Sequence, residues 1–384
     1  MNSKGFEGRL FLVSGSASRK SPDAIIRYGH ALIEEVVGTI VSSGGRIVLQ
    51  LGKEPRQIDG DPSSPALVFD WTALAAAANA LRCEKPRAGA IVAVLSERSE
   101  DGIPPDRREA FRRLLADGVV RVDYIQPGSR SATMMREVAA RLADVAILLG
   151  GGTGVEHLAE LFQSERKTVI PFDLPLGASR EDGTGGSEQL NREAKTRPAL
   201  FLRLSPGAAG LGANLLSRLS TANGTAPVEE VRDALCAVAE GLESPGAFCV
   251  RLQNPTVSEF VAVEAFFRQV VDPTLDSLGF RIIEIGKGPA RSGFINLEIF
   301  QELHFCRLAV ADVSGQRANC LIELGYALGR NRRVIVTAME GTQLPFDQAA
   351  IPCFFWRPGG PVGELRRDLL LFLENQIGRP PLVT

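Results

Sequence analysis

The sequence has little of what marks membrane or secreted proteins. No uninterrupted apolar run approaches the ~20 residues that a helix needs to span a bilayer. The first residues, Met1 to Arg9, lack the apolar core of a secretion signal. We therefore expect a cytoplasmic protein.

Cysteine is sparse and scattered. The six cysteines include no Cys-x-x-Cys pair, and they are Cys83, Cys236, Cys249, Cys306, Cys320 and Cys353. This spacing predicts reduced thiols and argues against a disulfide framework or a zinc site. We expect Cys306 and Cys320 to be small packing residues. His30 and His157 have no metal-ligand pattern, and we predict no metal and no cofactor.

An excess of either charge is also missing. The chain has 43 Lys and Arg against 45 Asp and Glu, which gives a formal net charge of −2. Such a balance supplies no overall attraction to nucleic acid or to an anionic membrane. We predict neither as a partner.

The length of 384 residues predicts two domains, because single cores stop growing well below this size. The best boundary is Glu243–Ala247, where a long helical pattern stops and a new strand pattern begins. We predict a first domain over residues 8–242 and a second over residues 247–378. Strand and helix patterns alternate through both, so the fold class is α/β, with two doubly wound parallel sheets.

A glycine run in the first half is typical of a phosphate-binding loop. The strand pattern over residues 144–149 continues into Gly150, Gly151, Gly152, Thr153 and Gly154, and a helix with Glu156 near its start follows. Glycine permits positive φ and removes the Cβ that would block a ligand at a helix N-terminus. The alternative is a close-packed turn in which Glu156 complements the helix dipole.

Two further segments of the first half could face the same ligand. Gly15 and Ser16 follow the first strand pattern, in either a tight turn or an anion-binding turn. Thr184 and Gly185 lie in the polar stretch over residues 173–191, which is long for an α/β connection. That stretch is either a loop that closes over a nucleotide or a surface loop.

Gly150 to Glu156 resembles the signature of the SLOG superfamily, and the resemblance covers about residues 8–242, including the turn at Ser14–Ser16. The superfamily includes the LOG-type cytokinin-activating enzymes and many nucleotide-sensing modules. The LOG pattern places its glutamate one position later, where this chain has His157, and its threonine where this chain has Val155. This departure favours a nucleotide-binding role over phosphoribohydrolase activity.

The second half carries the strongest chemical pattern, residues 309–329. An apolar strand pattern ends in Asp312, a polar turn holds Ser314 and Gly315, and the following helix carries Asn319 and Glu323. Ligands of open α/β sheets bind beyond the carboxyl ends of the strands, so these residues are expected at one crevice. The alternatives are that Asp312 and Asn319 cap the helix and that Glu323 faces solvent. Ser292 and Phe294, after the second strand pattern of this half, could face the same crevice.

Residues 247–378 resemble the nucleoside 2-deoxyribosyltransferase-like and TIR-like domains. The resemblance rests on residues 273–280, Ala311–Gly315, Asn319, Glu323–Gly325 and Leu344–Asp347. It implies a flavodoxin-like sheet and cleavage or transfer at an N-glycosidic bond of NAD or a nucleoside. It also implies that Glu323 is the catalytic glutamate and that Asp312 and Asn319 face the ribose.

Three hypotheses follow from the two resemblances. The first is an anti-phage effector of the Thoeris type, a homo-oligomer whose first domain senses a nucleotide such as a cyclic NAD derivative, and whose second domain hydrolyses NAD. The second is a nucleoside or nucleotide N-glycosidase or deoxyribosyltransferase. The third is a sensor or scaffold without catalysis, and the division of labour between the two domains could also be reversed.

Overall fold

The computed structural model describes residues 5–82, 89–125, 131–177, 185–284, 295–344 and 351–377. The chain divides into two compact units, residues 1–243 and residues 244–384. Each unit is built on its own sheet. Among the described residues, no helix is both long and apolar enough to cross a membrane.

Unit 1 alternates strands and helices along the chain. Its strands are β1 (Leu10–Ser16), β2 (Arg46–Leu49), β3 (Ile91–Ser96), β4 (Val120–Ile125), β5 (Val145–Gly150) and β6 (Thr168–Pro171). Its helices are α1 (Asp23–Ser42), α2 (Asp70–Arg82), α3 (Glu97–Asp101), α4 (Pro105–Ala116), α5 (Ser131–Leu142), α6 (Thr153–Ser164), α7 (Gly186–Thr196), α8 (Pro198–Phe201), α9 (Gly212–Arg218) and α10 (Val228–Gly241).

The six strands of unit 1 form a parallel sheet in the order β4-β3-β2-β1-β5-β6. The order reverses at β1, which pairs with β2 on one side and with β5 on the other. This reversal is a topological switch point, where the connections from neighbouring strands leave in opposite directions and open a crevice. In the register of β1 and β5, Ser16 lies opposite Gly150.

Unit 2 repeats the alternation on a smaller scale. Its strands are β7 (Gly246–Val250), β8 (Arg281–Ile283), β9 (Leu308–Asp312), β10 (Arg333–Met339) and β11 (Cys353–Trp356). Its helices are α11 (Phe260–Phe266), α12 (Asp272–Ser277), α13 (Ile295–Phe305), α14 (Ala318–Gly329) and α15 (Val362–Ile377).

The parallel sheet of unit 2 has the order β11-β10-β9-β7-β8. Counted within the unit, this is the flavodoxin-like order 2-1-3-4-5, whose switch point lies between β7 and β9. Apolar clusters cover both faces, one containing Phe266, Phe267 and Trp356, the other containing Leu303 and Leu324. Two buried faces explain the uninterrupted apolar run at Leu308–Ala311. The predicted fold class, two α/β domains with doubly wound parallel sheets, is confirmed.

One helix of unit 2 differs from its predicted form. The sequence pattern predicted a single helix over Phe260–Ser277, but the turns Phe267–Val271 between α11 and α12 are π-helical. Pro273 lies two positions after Val271, and its ring has no N–H to donate and would clash with a carbonyl one turn earlier. A wider turn before the proline relieves that clash.

In unit 1, the helix predicted over Ala209–Ser220 is shorter than expected. A 3₁₀ turn, Ala209–Leu211, precedes α9, which ends at Arg218. The segment that follows α9 is held by Asp173, directly beyond β6. Asp173 accepts hydrogen bonds from the backbone N–H and hydroxyl of Thr221 at 2.7 and 2.8 Å, and from the Ser220 hydroxyl at 2.7 Å.

Burial alone would raise the pKa of Asp173, but the bonds from Thr221 and Ser220 and the charge of Lys195 hold it below its ordinary value. Asp173→Ala should lower the free energy of unfolding of unit 1 by about 2–4 kcal/mol near pH 7, because three donors lose a charged acceptor. Urea unfolding measures the difference. A depressed pKa means that the stabilisation is present above the unfolded pKa and is lost as the pH falls through the folded pKa, so the difference should shrink below about pH 4.

Asp117→Ala is the matched control, because Asp117 is exposed at the end of α4. It should change the unfolding free energy by less than about 0.5 kcal/mol. Equal effects of the two substitutions would contradict the role given to Asp173.

Candidate functional sites

The glycine turn of unit 1 lies at the switch point of the sheet. The backbone N–H of Gly151 donates to the Ser16 carbonyl at 2.7 Å, which joins the ends of β5 and β1. At Gly15 a Cβ would lie 1.9 Å from the carbonyl oxygen of Leu149, so this position of β1 admits only glycine. The predicted residues Gly15, Ser16, Gly150 and Gly151 are therefore brought together.

Helix α6 begins at this turn with Gly152 as its N-cap, and no side chain caps it among the described residues. Thr153 at the first helical position is exposed, and Gly154 is partly buried. The first N–H groups of a helix have no partner inside it, and they combine with the helix dipole to favour an anion. The turn thus has the form of an anion-binding site.

A second helix start meets the same turn. Glu156, in the first turn of α6, accepts a hydrogen bond from the backbone N–H of Gly186 at 2.8 Å. A Cβ at Gly186 would lie 2.3 Å from the carbonyl oxygen of Gly151, so α7 begins in close contact with the glycine turn. Gly185 is the N-cap of α7, and Thr184 lies outside the described residues. Glu156 therefore ties the two turns together, and its predicted contact with a nucleotide stays a prediction.

The sequence pattern missed Arg136, on α5. Its Nε donates to Nδ1 of His157 at 3.2 Å, and an Nη donates to the Thr133 hydroxyl at 3.2 Å. Its other Nη lies 3.4 Å from the place that a Cβ on Gly154 would occupy. In the described part of the chain, no ion pair with a carboxylate holds Arg136, and burial lowers its pKa.

Arg136 could have been found from the sequence, because it lies on the helix directly before the strand that ends in the glycine run. His157, predicted to be a surface or packing residue, accepts the bond that orients the arginine. The outcome is a cation beside the N-terminus of α6. A phosphate group has the charge and the acceptor oxygens that this arrangement suits.

In unit 2, Asp312 at the end of β9 is 2% exposed. One carboxylate oxygen accepts from the Ser314 N–H at 3.0 Å, and the other accepts from the Thr337 hydroxyl at 2.8 Å and from Nε1 of Trp356 at 2.9 Å. Burial raises the pKa of Asp312 above its ordinary value. The expected contact with ribose is not supported, because the side chain points into the protein and holds β9, β10 and β11 together.

The turn after Asp312 also differs from expectation. Ser314 is 2% exposed, and its hydroxyl accepts from the Met339 N–H at 2.8 Å, so a direct substrate contact is not supported for it either. Gly315 is exposed with φ at 72° and faces Glu259 from the loop after β7. The loops from β7 and β9 therefore meet at the switch point of this sheet.

Asn319 is exposed at the second position of α14. The alternative expectation, that it caps the helix, is wrong: Arg317 is the N-cap residue, and no side-chain capping bond forms. Asn319 is therefore accessible from solvent, and its predicted contact with a ribose stays a prediction. Ser292 and Phe294 lie outside the described residues.

Glu323, on the second turn of α14, is the most distinctive group of unit 2. It is half-buried, and within the described ranges no side chain or backbone group donates to it or pairs with it. Burial raises the pKa of Glu323 to about 7. A carboxyl group that is desolvated but unpaired is typical of catalytic sites.

The neighbouring thiols are inert by comparison. Cys320, one turn before Glu323, is buried, and burial followed by the charge of Glu323 raises its pKa to about 12. Burial raises the pKa of Cys306 to about 12 as well. Both thiols stay protonated at neutral pH, which leaves Glu323 as the reactive side chain of this stretch.

Comparison with known proteins relates the first unit to one family. Residues 6–232, more than half of the chain, match the model of the N-terminal region of Cap17-like ATP nucleosidases. Two curated relatives are the ATP nucleosidase Cap17 of Escherichia coli strain KTE188 and the same-named protein of Escherichia coli. Each is 24% identical over 174 residues, which cover 45% of this chain and 34% of the relative.

The chain therefore spans about a third of the length of the curated relatives that it matches. Among solved structures, UDP-GlcNAc 2-epimerase from Neisseria meningitidis bound to UDP-GlcNAc aligns at 10% identity over 95% of this chain and 91% of that chain. The TM-score of that alignment is 0.23, which is too low to indicate a shared fold.

The raised pKa of Glu323 predicts that the free energy of unfolding of unit 2 depends on pH. The folded pKa lies above the unfolded value, so the stabilisation is fully present below the unfolded pKa of 4.5 and is lost as the pH rises through about 7. Glu323→Gln removes this dependence and should raise the unfolding free energy of unit 2 at pH 8 by about 1–2 kcal/mol, allowing for partial solvent screening. At pH 4.5 the difference should be close to zero.

Urea unfolding at the two pH values measures this effect. Glu364→Gln, an exposed carboxylate in the first turn of α15, is the control and should show the same small difference at both pH values. A Glu323→Gln variant that is no more stable at pH 8 than the wild type would show that the side chain is solvated.

Proposed function

The chain belongs to the family of Cap17-like ATP nucleosidase N-terminal regions, and from that premise we propose that it is a nucleotide-regulated N-glycosidase. Unit 1 binds a nucleotide at the turn from Gly150 to Gly154, and unit 2 cleaves the bond between a ribose and its base. The observation that carries the proposal is Glu323, a half-buried carboxyl without a partner among the described residues, whose pKa is about 7.

Cleavage of an N-glycosidic bond leads through a state in which positive charge develops on the ribose ring. A fixed carboxylate close to the anomeric carbon stabilises that charge more strongly in a site of low polarity than in water. In the proposed reaction the bond from C1′ to the base nitrogen breaks, and its electron pair stays on the base. A water oxygen then bonds to C1′, and its proton leaves to solvent or to the base.

The ionised form of Glu323 is the active one in this scheme. Without a bound substrate, the Glu323 carboxyl is partly protonated at neutral pH. No donor in the described part of unit 2 stabilises its negative charge. The positive charge that develops on the ribose pairs with the Glu323 carboxylate, so this interaction is strongest in the transition state. Binding of this kind accelerates the chemical step, because it does not equally stabilise the substrate.

Two separate similarities bear on the identity of the substrate. The resemblance of unit 2 to TIR-like and deoxyribosyltransferase-like domains favours NAD, with nicotinamide as the leaving base. The activity for which the curated relatives are named, ATP nucleosidase, favours ATP, with adenine as the leaving base. The family match covers unit 1 and does not reach Glu323, so we place NAD first and ATP second.

For unit 1 the proposal is a sensor. Two helix starts and Arg136 surround the glycine turn, which suits the phosphate of a nucleotide signal. Such a signal activates unit 2 only if it binds the active arrangement more tightly than the idle one. We propose that a homo-oligomer provides that arrangement and that the activity serves anti-phage defence.

The catalytic part is tested with the full chain. NAD, ATP and 2′-deoxyadenosine are incubated with it, with and without cyclic nucleotides, and released nicotinamide or adenine is measured by mass spectrometry. Glu323→Gln should lower kcat by at least about 100-fold, because the replacement cannot carry charge. The wild-type rate should rise about tenfold per pH unit below 7 and level off above it, since the ionised form acts.

Glu364→Gln should retain the wild-type rate, because that carboxylate is exposed on α15. Base release by Glu323→Gln at the wild-type rate would overturn the assignment. Nucleotide binding without any product from any substrate would favour the sensor without catalysis.

The binding part has its own test. Arg136→Met should weaken AMP binding to the full chain about 10- to 100-fold in calorimetry, because a charge-assisted bond to phosphate is lost. Arg112→Met, an exposed arginine on α4, is the control and should bind as the wild type does. Equal affinities of the Arg136 and Arg112 variants would show that the phosphate lies elsewhere.

A further inference from the structure

A carboxyl group that the proposed function does not use lies near the glycine turn of unit 1. Asp70 is the first residue of α2, and the loop before it passes along the end of β1. The backbone N–H of Ala17 donates to the Leu67 carbonyl at 2.7 Å, and Ser16 forms an antiparallel bridge with Val68. Ser16 also pairs with Gly150 in the sheet. The loop that leads into Asp70 therefore passes beside the glycine turn.

The end of β2 meets Asp70 from the other side. The backbone N–H of Gln50, directly beyond β2, donates to an oxygen of Asp70 at 3.4 Å. Nε1 of Trp71 donates to the Gly52 carbonyl at 3.0 Å, which holds the turn after β2 against the start of α2. Asp70 and Gln50 therefore lie together at the end of β2, the strand that pairs with β1.

The side chains of Gln50 and Asp70 can both form further hydrogen bonds. Nε2 of Gln50 is a buried amide nitrogen with no hydrogen-bond partner in the described part of the chain. Asp70 receives bonds only from backbone N–H groups there, its own and that of Gln50, and no cation among the described residues faces it. Burial raises the pKa of Asp70 to about 7. A buried donor without an acceptor and a desolvated carboxyl are both costly when no ligand completes them.

The spacing fits the parts of a nucleotide. Neighbouring strands lie about 4.8 Å apart, so the end of β2 is roughly 10 Å from the end of β5, with β1 between them. A nucleotide whose phosphate lies at the glycine turn can extend its ribose across β1 toward β2. Ribose hydroxyl groups donate to a carboxylate and accept from an amide, which are the two functions that Asp70 and Gln50 offer.

We propose that Asp70 and Gln50 form the ribose subsite of the nucleotide whose phosphate binds at Gly150–Gly154. The carboxylate of Asp70 accepts from the 2′- or 3′-hydroxyl, and Nε2 of Gln50 donates to the same diol. The inference rests on the proposed nucleotide binding by unit 1, and it adds that the ligand is recognised as a nucleotide with a free hydroxyl rather than as any phosphate.

The test compares three ligands on the full chain by calorimetry: AMP, 2′,3′-dideoxy-AMP and inorganic phosphate. The wild type should bind AMP about 10- to 100-fold more tightly than the dideoxy compound, because the diol is then missing. Asp70→Ala and Gln50→Ala should each remove most of that difference while leaving the affinity for inorganic phosphate unchanged. Asp23→Asn is the matched control, since Asp23 also begins a helix after a strand but is exposed and paired with Arg27.

Each outcome has one meaning. Equal binding of AMP and dideoxy-AMP by the wild type, or an unchanged preference in Asp70→Ala, overturns the subsite and leaves the nucleotide site at the glycine turn intact. Loss of AMP binding in Arg136→Met, with the preference lost in Asp70→Ala, supports both. Absence of binding by the folded wild type overturns the nucleotide site and the subsite together. Thermal unfolding of each variant confirms that it is folded.

Discussion

Parallel strand pairing places every strand-to-helix turn of a unit at the same edge of its sheet. Each crossover returns the chain to the opposite edge, so the carboxyl ends collect the polar turns and the helix starts. In unit 1 this brings Gly15, Ser16 and Gly150 together although they are far apart in sequence. In unit 2 it brings the loop of Glu259 to Gly315. Both candidate sites depend on this single constraint.

Two acids of unit 2 show how burial separates structure from chemistry. Asp312 is buried and accepts from three donors, which offset its desolvation only in part, since its pKa stays raised, and the side chain holds three strands. Glu323 is half-buried and receives no such bond from the described residues. A desolvated group without an internal partner is a candidate for a functional site. The contrast lies in the donors around each acid, since both follow the same strand.

The periodic patterns predicted both sheets, because apolar strands and helical stripes are local signals. They also predicted the strand end at Asp312 and a helix after the glycine run with Glu156 near its start. What failed was the direction of side chains, which distant residues decide: Trp356 and Thr337 lie 44 and 25 positions from Asp312. Arg136 was missed for a related reason. Its neighbours His157 and Gly154 are reached only when α5 packs beside α6.

The family relationship covers unit 1, whereas the candidate catalytic residue Glu323 lies in unit 2. The family match therefore bears on the role of unit 1 and not on the role of Glu323. The shared region is residues 6–232, which contain the glycine turn, Arg136 and Asp70. In the proposed scheme, the base that is released depends on the surroundings of Glu323, which lies outside the shared region. On that proposal, the chemistry of unit 2 selects the substrate, whereas the turns at the edge of unit 1 select the nucleotide that regulates it.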